Sequence, residues 1–197
     1  RYIIAEDVEA ADVAPHFGLL SIQGPKSTKV LEDLKLSRPK NKLDVAKGPK
    51  EEYVINQPRL GTTGFDLFVP IGELEIWKTR LAQHALPCSE EAFEKARVLS
   101  TIPRFGKDLT EANLPPEGGL ETCAISYAKG CYIGQEIIAR IRTYGQVAKA
   151  LRGLKLDGPA VEGDAVFRED KQVGTLSSVI TQPDVALALI RREANDL

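Results

Sequence analysis

Residues 125–145 read ISYAKGCYIGQEIIARIRTYG, and they are the most informative stretch of this 197-residue chain. From Gly134 onward, three isoleucines recur at the spacing of one helical face, which predicts an amphipathic helix. Gln135 and Glu136 fall in its first turn, where the helix dipole favours a carboxylate. The stretch therefore predicts a glycine-rich turn that holds a cysteine and leads directly into a helix.

The first hundred residues predict strands and helices that do not alternate strictly, a pattern typical of α+β sheets covered on one face. β-Branched and aromatic runs indicate the strands, whereas apolar residues three and four apart indicate the helices. A basic segment with two prolines, residues 37–50, is predicted to be a loop. The predicted strands cover residues 1–8, 17–23, 52–56 and 65–70, and the predicted helices cover residues 26–35, 74–81 and the stretch from Ser89 toward Ile102.

The C-terminal part has a different character. From about Val147, four short apolar runs alternate with turns rich in glycine, proline and aspartate, which predicts a small all-β domain, a barrel. The predicted domains are therefore residues 1–146, an α+β region that ends in a connector over 103–146, and residues 147–197, the β-domain. Because the chain begins at Arg1 and contains no methionine, we expect an N-terminal portion to be missing; whether internal residues are missing as well stays open.

Composition and charge narrow the class of protein. No apolar run approaches the roughly 20 residues that a membrane-spanning helix needs, and the N-terminus lacks the pattern of a secretion signal. Three cysteines without C-x-x-C spacing argue against a disulfide framework or a zinc site, so a reducing cytoplasm is predicted. A net charge of −2 gives no overall attraction to nucleic acid or membrane.

The chemistry of the segment centres on Cys131. It precedes the predicted helix N-terminus and lies two residues from Lys129, and both features stabilise a thiolate. Backbone N–H groups at a helix start bind anions. Residues 129–152 contain five lysines and arginines and a single acid, Glu136, and so form a positively charged stripe in the sequence. A small anionic ligand would suit this stripe. The alternatives are a solvated charged face and a cysteine that is simply a small packing residue.

The run KGCYIGQE (129–136), with its flanks, resembles the signature of the YgfZ family, the folate-binding relatives of the glycine-cleavage T-protein. Weaker resemblances support it at LLSIQGPKS (19–27), PRLGTTGFDLFVP (58–70), EKARVLSTIPRFGKDL (94–109) and GTLSSVI (174–180). The resemblance implies an aminomethyltransferase-type folate-binding fold with antiparallel sheets and flanking helices. It also implies tetrahydrofolate, or a one-carbon derivative, as the ligand.

In YgfZ-like proteins the motif cysteine is tied to the assembly or repair of iron–sulfur clusters. Carried over by position, the resemblance assigns the reactive role to Cys131 together with Lys129. The remaining motif residues are assigned to folate binding: Tyr132, Gly134, Gln135 and Glu136. The implied partners are a folate and iron–sulfur proteins; neither a membrane nor direct nucleic-acid binding is predicted.

Other folate-site candidates are hypotheses, each set against a surface or packing role. Arg140 and Arg142 suit the carboxylates of a glutamyl tail, because a guanidinium fork pairs with a carboxylate. Tyr132 or Tyr144 would stack on a pterin ring, and Glu117 is a further pocket candidate.

Two other functions remain open. One is a tetrahydrofolate-dependent aminomethyltransferase, and the other is a binding module for folate or RNA. T-proteins carry a pterin-binding Glu where this chain reads LSTIPRFG (99–106), which disfavours the transferase.

Overall fold

The structure is a computed structural model that describes residues 7, 9–145 and 147–194. The chain divides into two compact units, Arg1–Ser89 and Glu90–Leu197. The strand predicted for residues 1–8 lies almost entirely outside the described residues. The domain boundary predicted between residues 146 and 147 stays a prediction.

The first unit is built on a four-stranded antiparallel sheet. Its spatial order is β1-β4-β3-β2, so the last strand of the unit pairs with the first. Two helices follow strands along the chain. The elements are β1 (Phe17–Gln23), α1 (Ser27–Asp33), β2 (Val45–Lys47), β3 (Tyr53–Asn56), β4 (Gly64–Pro70) and α2 (Leu74–Ala82), with short 3-10 helices at Ala14–His16 and Ile71–Glu73.

The prediction of a loop over residues 37–50 is wrong at Val45–Lys47, where strand β2 forms. This three-residue edge strand pairs antiparallel with β3, and Val45 lies opposite Ile55. A strand this short has too few residues for the alternation that sequence patterns detect. Its existence depends on a partner strand ten residues away rather than on its own composition.

The core of the first unit lies against the central strand β4. Phe65, Leu67 and Val69 are completely buried there, since alternate residues of a strand point to the same face. Trp77 of α2 packs into the same cluster. The other face of β4 carries Asp66, which is buried and accepts hydrogen bonds from the guanidinium of Arg59 at 2.6–3.0 Å.

The second unit begins with helices and ends with a sheet. Its helices are α3 (Glu90–Leu99), α4 (Glu121–Ala124) and α5 (Gln135–Tyr144), and its strands are β5 (Lys149–Lys155), β6 (Ala165–Arg168), β7 (Lys171–Ile180) and β8 (Val185–Arg191). Short 3-10 helices lie at Pro115–Gly118 and Arg192–Ala194. All four C-terminal strands predicted from the apolar runs are therefore confirmed.

The predicted barrel is not what these strands form. They make an open antiparallel sheet in the order β5-β8-β7-β6, with β5 and β6 at its two edges among the described residues. Closure would require hydrogen bonds between the edge strands, and β6 has only four residues. The buried residues Ala186, Leu187 and Ala188 of β8 lie at the centre of this sheet.

The α+β class and the antiparallel sheets with helices are as predicted. Of the helices in the described residues, none has the length and apolar character that crossing a bilayer requires.

Candidate functional site

Helix α5 is bounded by two glycines whose backbone conformation explains its ends. Gly134 precedes the helix with φ 87°, and Gly145 follows it with φ 66°. Both values lie in the left-handed region, which a side chain makes costly and which glycine adopts freely. Ile138 is the buried residue of the helix. The sequence prediction of a helix starting after Gly134 is confirmed.

The turn before α5 is closed by a reciprocal pair of hydrogen bonds. The backbone N–H of Tyr132 donates to Oε1 of Gln135 at 3.2 Å. The backbone N–H of Gln135 donates back to the carbonyl of Tyr132 at 3.3 Å. The Lys129 ammonium lies 4.9 Å from the centre of the Tyr132 ring, within cation–π range. Three motif residues are thus brought together, and Gln135 is engaged in shaping the turn.

Cys131 lies in this turn as an exposed free thiol. In the described part of the chain, no hydrogen bond to its sulfur is present. The thiols of Cys88 and Cys123 are exposed as well, but each donates to a backbone carbonyl, at 3.3 and 3.5 Å. The neighbouring side chain of Ile133 is 91% exposed. The turn therefore presents the sulfur to solvent rather than burying it in a core.

A second cation–π pair lies beside the motif. The Arg142 guanidinium lies 4.0 Å from the centre of the Tyr127 ring. The Tyr127 hydroxyl donates to Oε1 of Glu121 at 2.6 Å. That hydrogen bond raises the pKa of the Tyr127 phenol, desolvation raises it further, and the positive charge of Arg142 opposes the shift. Sequence analysis missed Tyr127, and its position within the ISYAKGCY run is the signal that would have found it.

The other predicted site residues are placed as follows. Glu136 and Arg140 are exposed on α5, and within the described residues neither side chain makes a hydrogen bond or an ion pair. Tyr144 is 70% exposed at the end of the helix. Glu117 is buried in the 3-10 helix Pro115–Gly118. Its carboxylate accepts hydrogen bonds from the Leu114 backbone N–H and the Asn113 side chain, at 3.2 and 3.3 Å.

A buried network of charged side chains connects helix α3 with Asp108 of the connector and with strand β7. Nη1 of Arg97 donates to Oδ2 of Asp108 at 2.6 Å, and Nη2 donates to the Ser178 hydroxyl at 2.8 Å. Arg97 also forms an ion pair with Glu94. Hydrogen bonding from Arg97 lowers the pKa of Glu94 to about 2; burial opposes this effect, and Lys107 adds to it.

This network was not predicted from the sequence. An arginine within the apolar stripe of α3 is its only local signal. In the described residues, no group of three or more histidine, cysteine or acidic side chains is arranged to hold a metal ion.

Sequence comparison finds relatives among transferases. No protein-family model matches the chain. Over 188 residues it is 32% identical to a chloroplastic protein of Arabidopsis thaliana that is provisionally named a transferase, covering 90% of this chain and 43% of the relative. It is 27% identical over 201 residues to an aminomethyltransferase of Staphylococcus haemolyticus, covering 95% of this chain and 55% of that protein. The chain thus spans about half the length of these relatives.

Structural comparison gives a concordant result. The crystal structure of the glycine cleavage system aminomethyltransferase T from Bartonella henselae matches with a TM-score of 0.70 at 18% identity. The match covers 89% of this chain and 52% of that protein. At this level of identity the likeness shows a shared fold. The chain therefore shares the fold of that aminomethyltransferase, and the two sequence relatives carry transferase names.

Proposed function

We propose that this chain is part of a YgfZ-type protein that binds tetrahydrofolate or a one-carbon derivative and supports iron–sulfur cluster assembly or repair through the Cys131 thiol. The observation that carries the proposal is the exposure of that thiol in the KGCYIGQE turn. Lys129, Arg140 and Arg142 lie nearby in the sequence and are also exposed. Reactive cysteines in proteins are typically exposed and lie in positively charged surroundings.

The proposal that the protein binds folate rests on the resemblance to folate-binding proteins and on the positive charge around the KGCYIGQE turn. The candidate partners for a glutamyl tail are Arg140 and Arg142, since a guanidinium binds a carboxylate through two parallel hydrogen bonds. Arg140 is without a described ion pair and is available as it stands. Arg142 stacks on Tyr127 and retains N–H groups for a carboxylate. Tyr132 and Tyr144 supply aromatic faces at the two ends of α5.

A rescue assay tests the role of Cys131. The full-length protein with Cys131→Ala is expressed in cells that lack their own copy, and the activity of an iron–sulfur enzyme is measured. Cys88→Ala and Cys123→Ala are matched controls because both thiols are exposed. We expect rescue by the two controls and loss of rescue with Cys131→Ala. Full rescue by Cys131→Ala would remove this thiol from the mechanism.

The alternative is a tetrahydrofolate-dependent aminomethyltransferase, favoured by the names of the Staphylococcus and Bartonella proteins. The cytoplasmic location stays a prediction, since the Arabidopsis relative is named chloroplastic. If the protein is such a transferase, the purified full-length protein will convert an aminomethyl donor and tetrahydrofolate to methylenetetrahydrofolate, and will release ammonia and the donor without its aminomethyl group. Turnover that persists in Cys131→Ala would favour this alternative. Absence of turnover, together with calorimetric binding of tetrahydrofolate, would favour the first proposal.

A further inference from the structure

The second unit contains a cleft that none of the predicted folate-site residues lines. Its volume is about 720 Å³, within the range of roughly 300–1,000 Å³ that small-molecule sites occupy. Residues 106–113 of the connector form one wall, and strands β5, β7 and β8 contribute the other lining. Lys149 and Arg191 lie where β5 and β8 meet and contribute to this lining.

The charges that line this cleft do not cancel. Asp108 is neutralised by Arg97 at 2.6 Å, and its second oxygen accepts from the hydroxyls of Ser177 and Ser178. Glu162 is paired with Lys107 at 2.6 Å. In the part of the chain that the structure describes, neither of the remaining lining cations, Lys149 and Arg191, has an ion pair.

The two unpaired cations are direct neighbours. Lys149 and Arg191 are Cα partners in the antiparallel pairing of β5 with β8. Like charges directly opposite one another on a sheet destabilise it. The nearby acid Glu193 is bound by Lys171 and is influenced only secondarily by Arg191. An anion that bridges the two side chains would turn this repulsion into attraction.

We propose that this cleft binds a small molecule that carries a multivalent oxyanion, a phosphate or a polycarboxylate, held between the Lys149 ammonium and the Arg191 guanidinium. Guanidinium and ammonium groups are the side chains that most often recognise such anions. Thr110 and Gln172 add polar groups to the lining. No residue of the Cys131 turn lines the cleft, so the proposal extends beyond the proposed function and does not depend on it.

Nuclear magnetic resonance titration of the 197-residue chain tests the site directly. Inorganic pyrophosphate is one probe, and citrate is the other, so that the two sources of negative charge are compared. Binding in the cleft predicts saturable shifts of the backbone amides of Lys149 and Arg191 with either probe. Amides of the first unit are expected to remain unshifted.

Charge-neutral variants separate a defined site from general ion attraction. Lys149→Gln and Arg191→Gln should each weaken binding at least fivefold. Lys155→Gln is the matched control, because Lys155 lies on the same strand about 20 Å away and does not line the cleft. We expect it to leave the affinity unchanged. Equal weakening by all three variants, or shifts without saturation for both probes, would mean nonspecific ion attraction and would overturn the proposal.

Discussion

Asp108 accepts a 2.6 Å hydrogen bond from Nη1 of Arg97, and both side chains are almost completely buried. The pair joins helix α3 to the connector, while Ser178 ties the same arginine to strand β7 at 2.8 Å. A buried charge pair is weak evidence of net stabilisation, but removing one partner leaves the other charge uncompensated. The second unit therefore depends on both members being present.

Arg97→Met is expected to lower the free energy of unfolding of the second unit by about 3–5 kcal/mol, because Asp108 would remain buried without its countercharge. Arg104→Met is the matched control, since its side chain is 55% exposed and lies 3.5 Å from Glu94; it should cost about 1 kcal/mol or less. Urea unfolding should be followed by circular dichroism rather than by tryptophan fluorescence. The single tryptophan, Trp77, lies in the first unit, so its fluorescence would report on that unit. Similar losses in both variants would contradict the role given to the buried pair.

Acid should weaken the same network through Glu94. Its pKa is lowered from 4.5 to about 2, so the ion pair stabilises the folded state above pH 4.5 and is lost as the pH falls toward 2. The shift corresponds to roughly 3 kcal/mol at most, which solvent screening reduces to about 1–2 kcal/mol. The stability difference between the wild type and Glu94→Gln should shrink as the pH falls from 6, and the loss should approach that amount near pH 2. A difference independent of pH would refute this assignment.

Gly134→Ala should destabilise the start of α5 by about 1–2 kcal/mol, because φ 87° is costly for a residue with a Cβ. The space around this position is open, so the cost comes from the backbone alone. Gly130→Ala is the control, since its surroundings are equally open and its φ is not positive. Hydrogen exchange of the α5 amides measures both variants, and equal protection in the two would exclude the backbone explanation.

Glu117 can be tested as a structural residue or as a ligand of the pterin. Its carboxylate closes the 3-10 helix Pro115–Gly118 by accepting the Leu114 N–H. Glu117→Ala should therefore cost about 1–2 kcal/mol of stability, whereas Glu117→Gln keeps an acceptor and should cost less. If calorimetry shows that Glu117→Gln binds tetrahydrofolate like the wild type, the residue acts through structure. A large loss of affinity at unchanged stability would make it a ligand residue.

The features that the sequence predicts well depend on local patterns. The start of α5 follows from three isoleucines on one face and from Gly134, and the four C-terminal strands follow from their apolar runs. Strand β2 forms because it pairs with β3, and whether the second sheet closes depends on which strands pair at its edges. A pattern within one segment does not encode either kind of pairing.

The same limit applies to the candidate site. The turn around Cys131 is continuous in sequence, so its residues could be named in advance. The contact of Arg142 with Tyr127 joins residues 15 positions apart, and the Arg97–Ser178 bond spans 81 residues. Such contacts are set by how the segments pack.

If the KGCYIGQE turn presents a reactive thiol at a folate site, as we propose, Cys131 will differ in reactivity from the other two thiols. Cys131 lies two residues from Lys129 in the sequence, whereas Cys88 is followed closely by the acids Glu90 and Glu91.

The most direct measurement is the alkylation rate of each thiol in the full-length protein, read by mass spectrometry with and without tetrahydrofolate. We expect Cys131 to react several-fold faster than Cys88 and Cys123, and tetrahydrofolate to slow the alkylation of Cys131 alone. Three equal rates that tetrahydrofolate leaves unchanged would contradict the proposal.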